Sequence, residues 1–454
     1  MTSCSPEIVR FSFGGHRFAY DPNSLLLLEL EAHDEESQVQ SCGISCRPNF
    51  RVSGILPTCQ TLVLQTCYSC NLDCSYCFAK QKLKNSPSMM TMDILERAGR
   101  MLLPLDDLPH TDHSLSFFGG EPLMNFEFVR QAVLWFERLA APRLPVFHMT
   151  TNGTLITPEI ADFLIEHRFG LIVSLDGPQE VHDRMRVDHH GRGSFDKVMQ
   201  GLRVLQSRRF NNSLTLRATF GPDTSNELLR IVRFLNELCY QGLGRYVSVE
   251  PAFLTESTCI NKQDLRYSMQ EGLVEDLRQA YLDVAAWMVD EVRSGANPTF
   301  HHLTKMVERL YYRSFWVTEC GGGCGYMSVD PAGVIYACHR PTVTQIGHLM
   351  HGGIDEALRA RWIDNRTYNR TGCLSCPLRF ICGGGCREES LCESGDIHLP
   401  VRMDCLFKRI FFDTSAWIIA ELGQRIITWI QNPSLKFLTQ TVDSSPKGDN
   451  TEEN

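Results

Sequence analysis

The feature that most limits what this chain can become is its cysteine content: 19 in 454 residues, most of them gathered in two runs. The first run, LQTCYSCNLDCSYCFAK, holds Cys67, Cys70, Cys74 and Cys77. The second extends from Cys320 to Cys405. In a reducing compartment, clustered cysteines serve more often as metal or redox ligands than as disulfides. The opening MTSCSPEIVR has no basic-then-apolar signal segment, and no apolar stretch is long enough to cross a bilayer. A cytoplasmic location without membrane association is therefore expected. The odd cysteine count leaves at least one thiol over.

A formal charge of -9 argues against a nucleic-acid partner, since that affinity depends on basic neutralisation of phosphates. The length exceeds what a single core usually fills, so a catalytic domain with a smaller appended one is expected. Residues 8 to 30 read as short strands around Gly14-Gly15 and Asp21-Pro22-Asn23, a small N-terminal hairpin within a segment 1–58. In the polar stretch that follows, Cys42 and Cys46 lack two further ligands nearby and read as incidental.

From about residue 60 to 260, β-like runs such as TLVLQT, HSLSFFG, VFHMTTNG, LIVSLDG and LTLRATFG alternate with helical patterns. Repeated β-α units imply a parallel sheet or barrel with its site at the carboxyl ends of the strands. This α/β region, with a helical linker, is expected over 59–316 and a cysteine-rich domain over 317–410. In the final segment 411–454, FFDTSAWIIAELGQRIITWI suits an amphipathic helix docked through Trp417, Ile418, Leu422, Ile426 and Trp429. The tail TVDSSPKGDNTEEN reads as disordered.

Taken by itself, the first run has two readings. Cys70, Cys74 and Cys77, spaced C-x3-C-x2-C, can hold three irons of a [4Fe-4S] cube and leave the fourth iron open to a substrate. Adding Cys67 gives four ligands that could instead close around zinc or a fully ligated cluster. With Tyr76 as the aromatic before the last cysteine, the run resembles the C-x3-C-x-Φ-C motif of the radical S-adenosylmethionine (SAM) superfamily. The resemblance continues in strand order. Gly119-Gly120-Glu121 is similar to the GGE segment that receives the methionine ammonium of SAM. Thr151-Asn152-Gly153 and Ser174-Leu175-Asp176-Gly177 resemble the family's next two strand ends. The resemblance makes Asn152, Ser174 and Asp176 candidate SAM contacts, and Arg217 can pair with the SAM carboxylate through a bidentate fork.

The second run reproduces the spacing of the SPASM extension: Cys320, then Gly333-x4-Cys338, Cys373-x2-Cys376-x5-Cys382-x3-Cys386, and Cys405. A pair of zinc sites is the alternative that such spacings allow. The family's interlaced ligation implies one auxiliary cluster at Cys373, Cys376, Cys382 and Cys405, and another at Cys320, Cys338 and Cys386, with Cys324 as candidate fourth ligand. Cys239, Cys259 and Cys392 read as buried or incidental thiols.

The expected fold is thus a partial (β/α)6 TIM-like radical SAM barrel with a C-terminal SPASM domain. The resemblance implies SAM and three [4Fe-4S] clusters, a peptide or protein substrate presented with a leader, and a reductant such as flavodoxin or ferredoxin. It implies a 5'-deoxyadenosyl radical that takes hydrogen from an unactivated carbon. Sulfatase-maturating relatives place an Asp base directly after the Gly-x4-Cys cysteine. Here His339 stands there, a candidate catalytic residue that resembles the cross-linking branch. The N-terminal strands resemble a leader-recognition domain, but fewer than 60 residues precede the barrel. A non-catalytic iron-sulfur electron carrier is the rival from another class.

Overall fold

The computed structural model describes residues 8–30, 59–79, 88–105, 108, 113–251 and 272–431. Cys42, Cys46, Cys259 and the tail lie outside the described residues. The N-terminal apolar runs form three antiparallel strands, one more than a hairpin: β1 (Val9–Phe13), β2 (His16–Asp21) and β3 (Leu26–Glu29). Gly14 and Gly15 take positive φ in the first turn, where a Cβ is disfavoured.

The expected β-α alternation folds as six parallel strands in sequence order. These are β4 (Thr61–Cys67), β5 (Ser114–Gly119), β6 (Val146–Thr151), β7 (Gly170–Ser174), β8 (Leu214–Phe220) and β9 (Tyr246–Pro251). Helices cover the outer face, as parallel crossovers require. Helix Phe126–Ala140 buries Phe128, Val129, Ala132, Val133 and Phe136, an i, i+3/i+4 stripe. Phe136 packs edge-on to Phe147 of β6, which stacks on Phe169 at 5.4 Å. Burying one such ring contributes about 1.5–3 kcal/mol. The result is a radical SAM-type partial barrel followed by a cysteine-rich C-terminal region.

The cysteine-rich region is joined to the barrel by backbone pairing. Strand β10 (Tyr326–Val329) adds parallel to β4, with Tyr326 level with Thr61 and Val329 with Leu64. Strands β11 (Val334–Tyr336), β12 (Gln345–His348) and β13 (Gly353–Ile354) then continue the sheet antiparallel. One ten-stranded sheet therefore runs across residue 317.

The C-terminal amphipathic stretch is divided at Gly423 into helices Arg402–Leu422 and Arg425–Ile430. The first carries Cys405 near its start and clamps the N-terminal sheet near its end. Phe412 meets Tyr20 at 4.8 Å and Phe11 at 5.4 Å, and Trp417 Nε1 donates to Gly14 O at 3.1 Å. Among the described residues, no helix is long and apolar enough to cross a membrane.

His16 fastens the same contact, bonding Glu29 through Nδ1 and Glu421 through Nε2. The Glu29 bond, with help from Glu421, raises its pKa above 6.5 despite partial burial. Because the folded value is raised, this stabilisation is complete below 6.5 and is lost as pH rises through the folded value. Limited proteolysis is expected to release the N-terminal sheet faster at about pH 8 than at about pH 6. His16→Gln should abolish that difference and give fast release at both.

Candidate active site

The first cysteine loop leaves the end of β4 and is held on two sides by backbone bonds. On one side, Gly120 N donates to Cys67 O (2.8 Å) and Glu121 N to Ser69 O (2.9 Å). Gly119 has φ +130, and a Cβ there would lie 2.5 Å from Cys67 O, so only glycine permits this approach. On the other side, Asp73 N donates to Val187 O (2.8 Å) and Ser75 N to Met185 O (3.1 Å).

Cys70, Cys74 and Cys77 share this loop, and beyond burial the charges of Cys74 and Cys77 raise Cys70 and that of Cys77 raises Cys74. Burial is the larger cause, pushing Cys70 to about 12 and Cys74 to about 11. Both are thiols at neutral pH until a metal displaces the protons. Cys67 stands apart. Its buried sulfur donates to Glu121 O (3.1 Å) and Ser69 O (3.3 Å), so it fastens the GGE turn to the loop.

Several motif carboxylates turn inward. Glu121 is 0% exposed; Oε1 accepts from Thr151 Oγ1 (2.7 Å) and Leu123 N (3.1 Å), and Oε2 from Asn152 N (2.7 Å). It therefore ties the ends of β5 and β6 together. Asn152 Nδ2 donates to Asn71 Oδ1 (2.9 Å) and lies 3.9 Å from Cys70 Sγ, steadying the cysteine loop. Asp176, 1% exposed, accepts from Tyr76 Oη (2.6 Å), Arg186 Nε (2.9 Å) and Thr219 N (3.0 Å). Ser174, at the end of β7, is half-buried, and its hydroxyl bonds no described residue. Arg217 is level with Ser174 on β7 and Ser248 on β9. Its charge is felt at Glu250, Tyr326 and His339.

Sequence reasoning missed Arg186. Its guanidinium pairs with Asp176, covers the Tyr76 ring at 5.3 Å and reaches Cys74 Sγ at 3.9 Å. The signal was the segment RMRVD following the SLDG turn, whose backbone straps the cysteine loop.

The later cysteines divide into two groups. Cys373 and Cys376 raise the pKa of Cys405, which helix Arg402–Leu422 carries to them. Cys382 lies beside Asp404 and Lys408 on the same helix. Burial raises the thiols of Cys338 and Cys386, and the charge of Cys320 adds to it at Cys338 as that of Cys338 does at Cys386. Cys324 acts with Cys320 on Arg387 and also raises the buried Cys59. Cys239 is half-buried on helix Leu228–Tyr240, and Cys392 donates to Glu388 Oε1 at 3.3 Å.

Thiolate donor sets of this kind suit iron-sulfur clusters, with zinc the alternative. Tetrahedral zinc with Zn–S of about 2.3 Å draws its sulfurs to about 3.8 Å of one another. Among the described residues, the one group of three donors within 4.8 Å is Cys386, Glu388 and Glu389. Arg340 bonds both of those carboxylates, at 2.9 Å and 3.2 Å.

His339 lies between the two cysteine regions. Its carbonyl accepts from Gln65 Nε2 of β4 (2.6 Å), its Nδ1 is 2.9 Å from Tyr326 Oη, and its ring meets Phe118 edge-on at 4.9 Å. Burial first, then Arg340 and Arg217, push its pKa down to about 3, so the imidazole is neutral. The first loop follows the upper end of β4, whereas Cys324 precedes β10, whose first residue is level with the lower end of β4. Six residues of strand separate these levels, about 20 Å.

The Radical SAM superfamily model matches residues 64–235. The serine-type anaerobic sulfatase-maturating enzyme of Bacteroides thetaiotaomicron is 34% identical over 357 residues, 72% of this chain and 82% of that protein. This chain belongs to the radical SAM superfamily. The radical SAM cyclopropyl synthase TigE of Paramaledivibacter caminithermalis is 22% identical over 334 residues, 70% of this chain and 65% of that protein. A solved structure, native anSMEcpe with bound AdoMet and Cp18Cys peptide, shares the radical SAM fold. Its TM-score is 0.64 at 19% identity, over 82% of this chain and 100% of that one.

The two readings of the first run predict different outcomes on mutation. Replacing Cys70, Cys74 and Cys77 together by Ala should remove about a third of the iron bound after anaerobic reconstitution and all SAM cleavage. Cys67→Ala should keep both. Loss of iron in Cys67→Ala, measured by chelator assay, would restore the four-cysteine reading.

Proposed function

We propose that this radical SAM enzyme oxidises a side chain of a bound peptide and closes an intramolecular cross-link, most directly a thioether from a Cys sulfur to another residue's carbon. When bound, SAM and the cluster at Cys70, Cys74 and Cys77 supply a hydrogen-abstracting radical, while clusters at the later cysteines supply an electron sink. The observation that carries this reading is the buried polar cluster of Gln65, Tyr326 and His339, reached by the charge of Arg217, where β10 joins the two cysteine regions into one sheet.

Each residue has a definite task in this reading. The backbone at Gly119-Gly120, held rigid by Glu121, receives the methionine end of SAM. The open hydroxyl of Ser174 contacts the ribose. Arg217 forks to the SAM carboxylate or, from the same level, to a peptide carbonyl. His339, as a neutral imidazole, hydrogen-bonds the reacting side chain and keeps it dry. Phe118 excludes water beside it. The clamp of Tyr76, Asp176 and Arg186 keeps the loop from shifting when substrate enters.

A second reading, oxidation of a Cys or Ser to formylglycine, is favoured by the 34% identity to a sulfatase-maturating enzyme. It is disfavoured by His339 where such enzymes carry Asp. The substrate is expected to be ribosomally made, and the electron donor a flavodoxin or ferredoxin. An electron carrier without catalysis would have no need of the Gly119 approach or of an open iron.

Two measurements decide among these. Detection of 5'-deoxyadenosine from SAM and reductant excludes the electron carrier. Mass spectrometry of a candidate peptide after anaerobic reaction should show loss of two hydrogens, no gain of oxygen, and one Cys no longer alkylated. A Cys-to-aldehyde mass change would establish the formylglycine reading instead.

A further inference from the structure

Two arginines near the later cysteines are buried without an acidic partner. Arg387 is 3% exposed, and its guanidinium donates to Gly322 O (3.1 Å), Asn365 O (2.9 Å) and Thr318 Oγ1. Arg370 is 1% exposed and donates to Ser390 Oγ (2.8 Å), Gly385 O (3.3 Å) and Gly384 O, while its Nε has no partner. Among the described residues, no carboxylate bonds either one. The contrast is local: Arg340 has Glu388 and Glu389, and Arg309 has Glu319.

A guanidinium out of water costs several kcal/mol unless an anion answers it. Arg387 holds Gly322 O, and Gly322 N donates to Cys320 Sγ at 3.2 Å, so this guanidinium lies against the Cys320 loop. Arg370 accepts through its carbonyl from Cys373 N (2.9 Å) and holds Gly384 O, while Gly384 N donates to Cys382 Sγ at 3.4 Å. Each cation thus faces a different group of cysteines.

We infer that Arg387 and Arg370 are the built-in counter-cations of the two auxiliary cluster sites, Arg387 for Cys320, Cys324 and Cys338, and Arg370 for Cys373, Cys376 and Cys405. The inference rests on the cluster assignment proposed above. Gaining one electron makes a thiolate-bound cluster more negative by one charge. A fixed cation in a dry site favours that reduced form and raises the midpoint potential. Both arginines are positioning residues: they act on the substrate's oxidation through the group they face. Neutral partners such as Gly322 O and Asn365 O hold each charge in place without cancelling it.

The test uses the full chain, reconstituted anaerobically, with iron content and spectroelectrochemical titration as readouts independent of any peptide. Arg387→Gln should move the midpoint of one auxiliary cluster to lower potential and leave the SAM-binding cluster unchanged. Arg370→Gln should do the same to the other auxiliary cluster. Arg387→Lys, which keeps charge and loses the fork, should stay near the parent value. Unchanged midpoints in both Gln variants, or equal shifts in Arg387→Gln and Arg387→Lys, overturn the inference. Should Arg387→Gln bind only about two thirds of the iron, full binding at the parent potential in Arg387→Lys supports it. Failure of both to assemble that site overturns it, since the fork rather than the charge is then what matters. Iron near one cluster per chain in the parent protein would refute the cluster assignment itself, a result distinct from unchanged potentials.

Discussion

Parallel pairing of β10 with β4 is the constraint on which the rest of the site depends. It converts a cysteine-rich appendage into a continuation of the barrel sheet, so the two sets of cysteines share one rigid frame. Hydrogen-bonded strands have a fixed rise per residue, and that rise sets the distance between the first loop and the lower cysteines. A flexible linker could not hold such a spacing. Catalysis that relies on positioning rather than acid-base strength needs it.

Buried charge organises what the sheet frames. Asp176 and Arg186 are a desolvated pair whose bonds to Tyr76 and Thr219 offset the burial. The same clamp locks the cysteine loop against β7 and β8. Around the later cysteines the arrangement is different, because Arg387 and Arg370 bond only neutral oxygens among the described residues. Low dielectric makes each imbalance expensive when empty and useful when an anionic group is bound.

Much of the fold was legible because its signals are local. Alternation of apolar runs with helical periods announced five of the six parallel strands, the family resemblance implied the sixth, and Gly119 and Gly120 announced a close backbone approach. Less legible was the fate of individual polar side chains. Glu121 and Asp176 read as ligand contacts, and the fold also gives them protein partners, Thr151 and Asn152 for the first and Tyr76, Arg186 and Thr219 for the second. A carboxylate next to glycine looks the same in sequence whether it faces a ligand or the next strand end. Arg186 escaped notice because nothing in RMRVD marks a side chain that will lie over Tyr76, 110 positions earlier.

The sequence by itself determined the chemistry available: thiols at spacings that suit clusters, glycines that admit close approach, and a β-α rhythm that puts loops on one rim. These properties depend on neighbouring residues and backbone sterics, which a linear reading captures. Tertiary structure alone decided which thiols act together. It set Cys67 against the Glu121 carbonyl and away from its three neighbours. It carried Cys405 on a helix to Cys373 and Cys376, and it grouped Cys386 with Cys338. The physical reason is that burial and charge are sums over whatever the fold brings near, and most of those contributors are far apart in the chain.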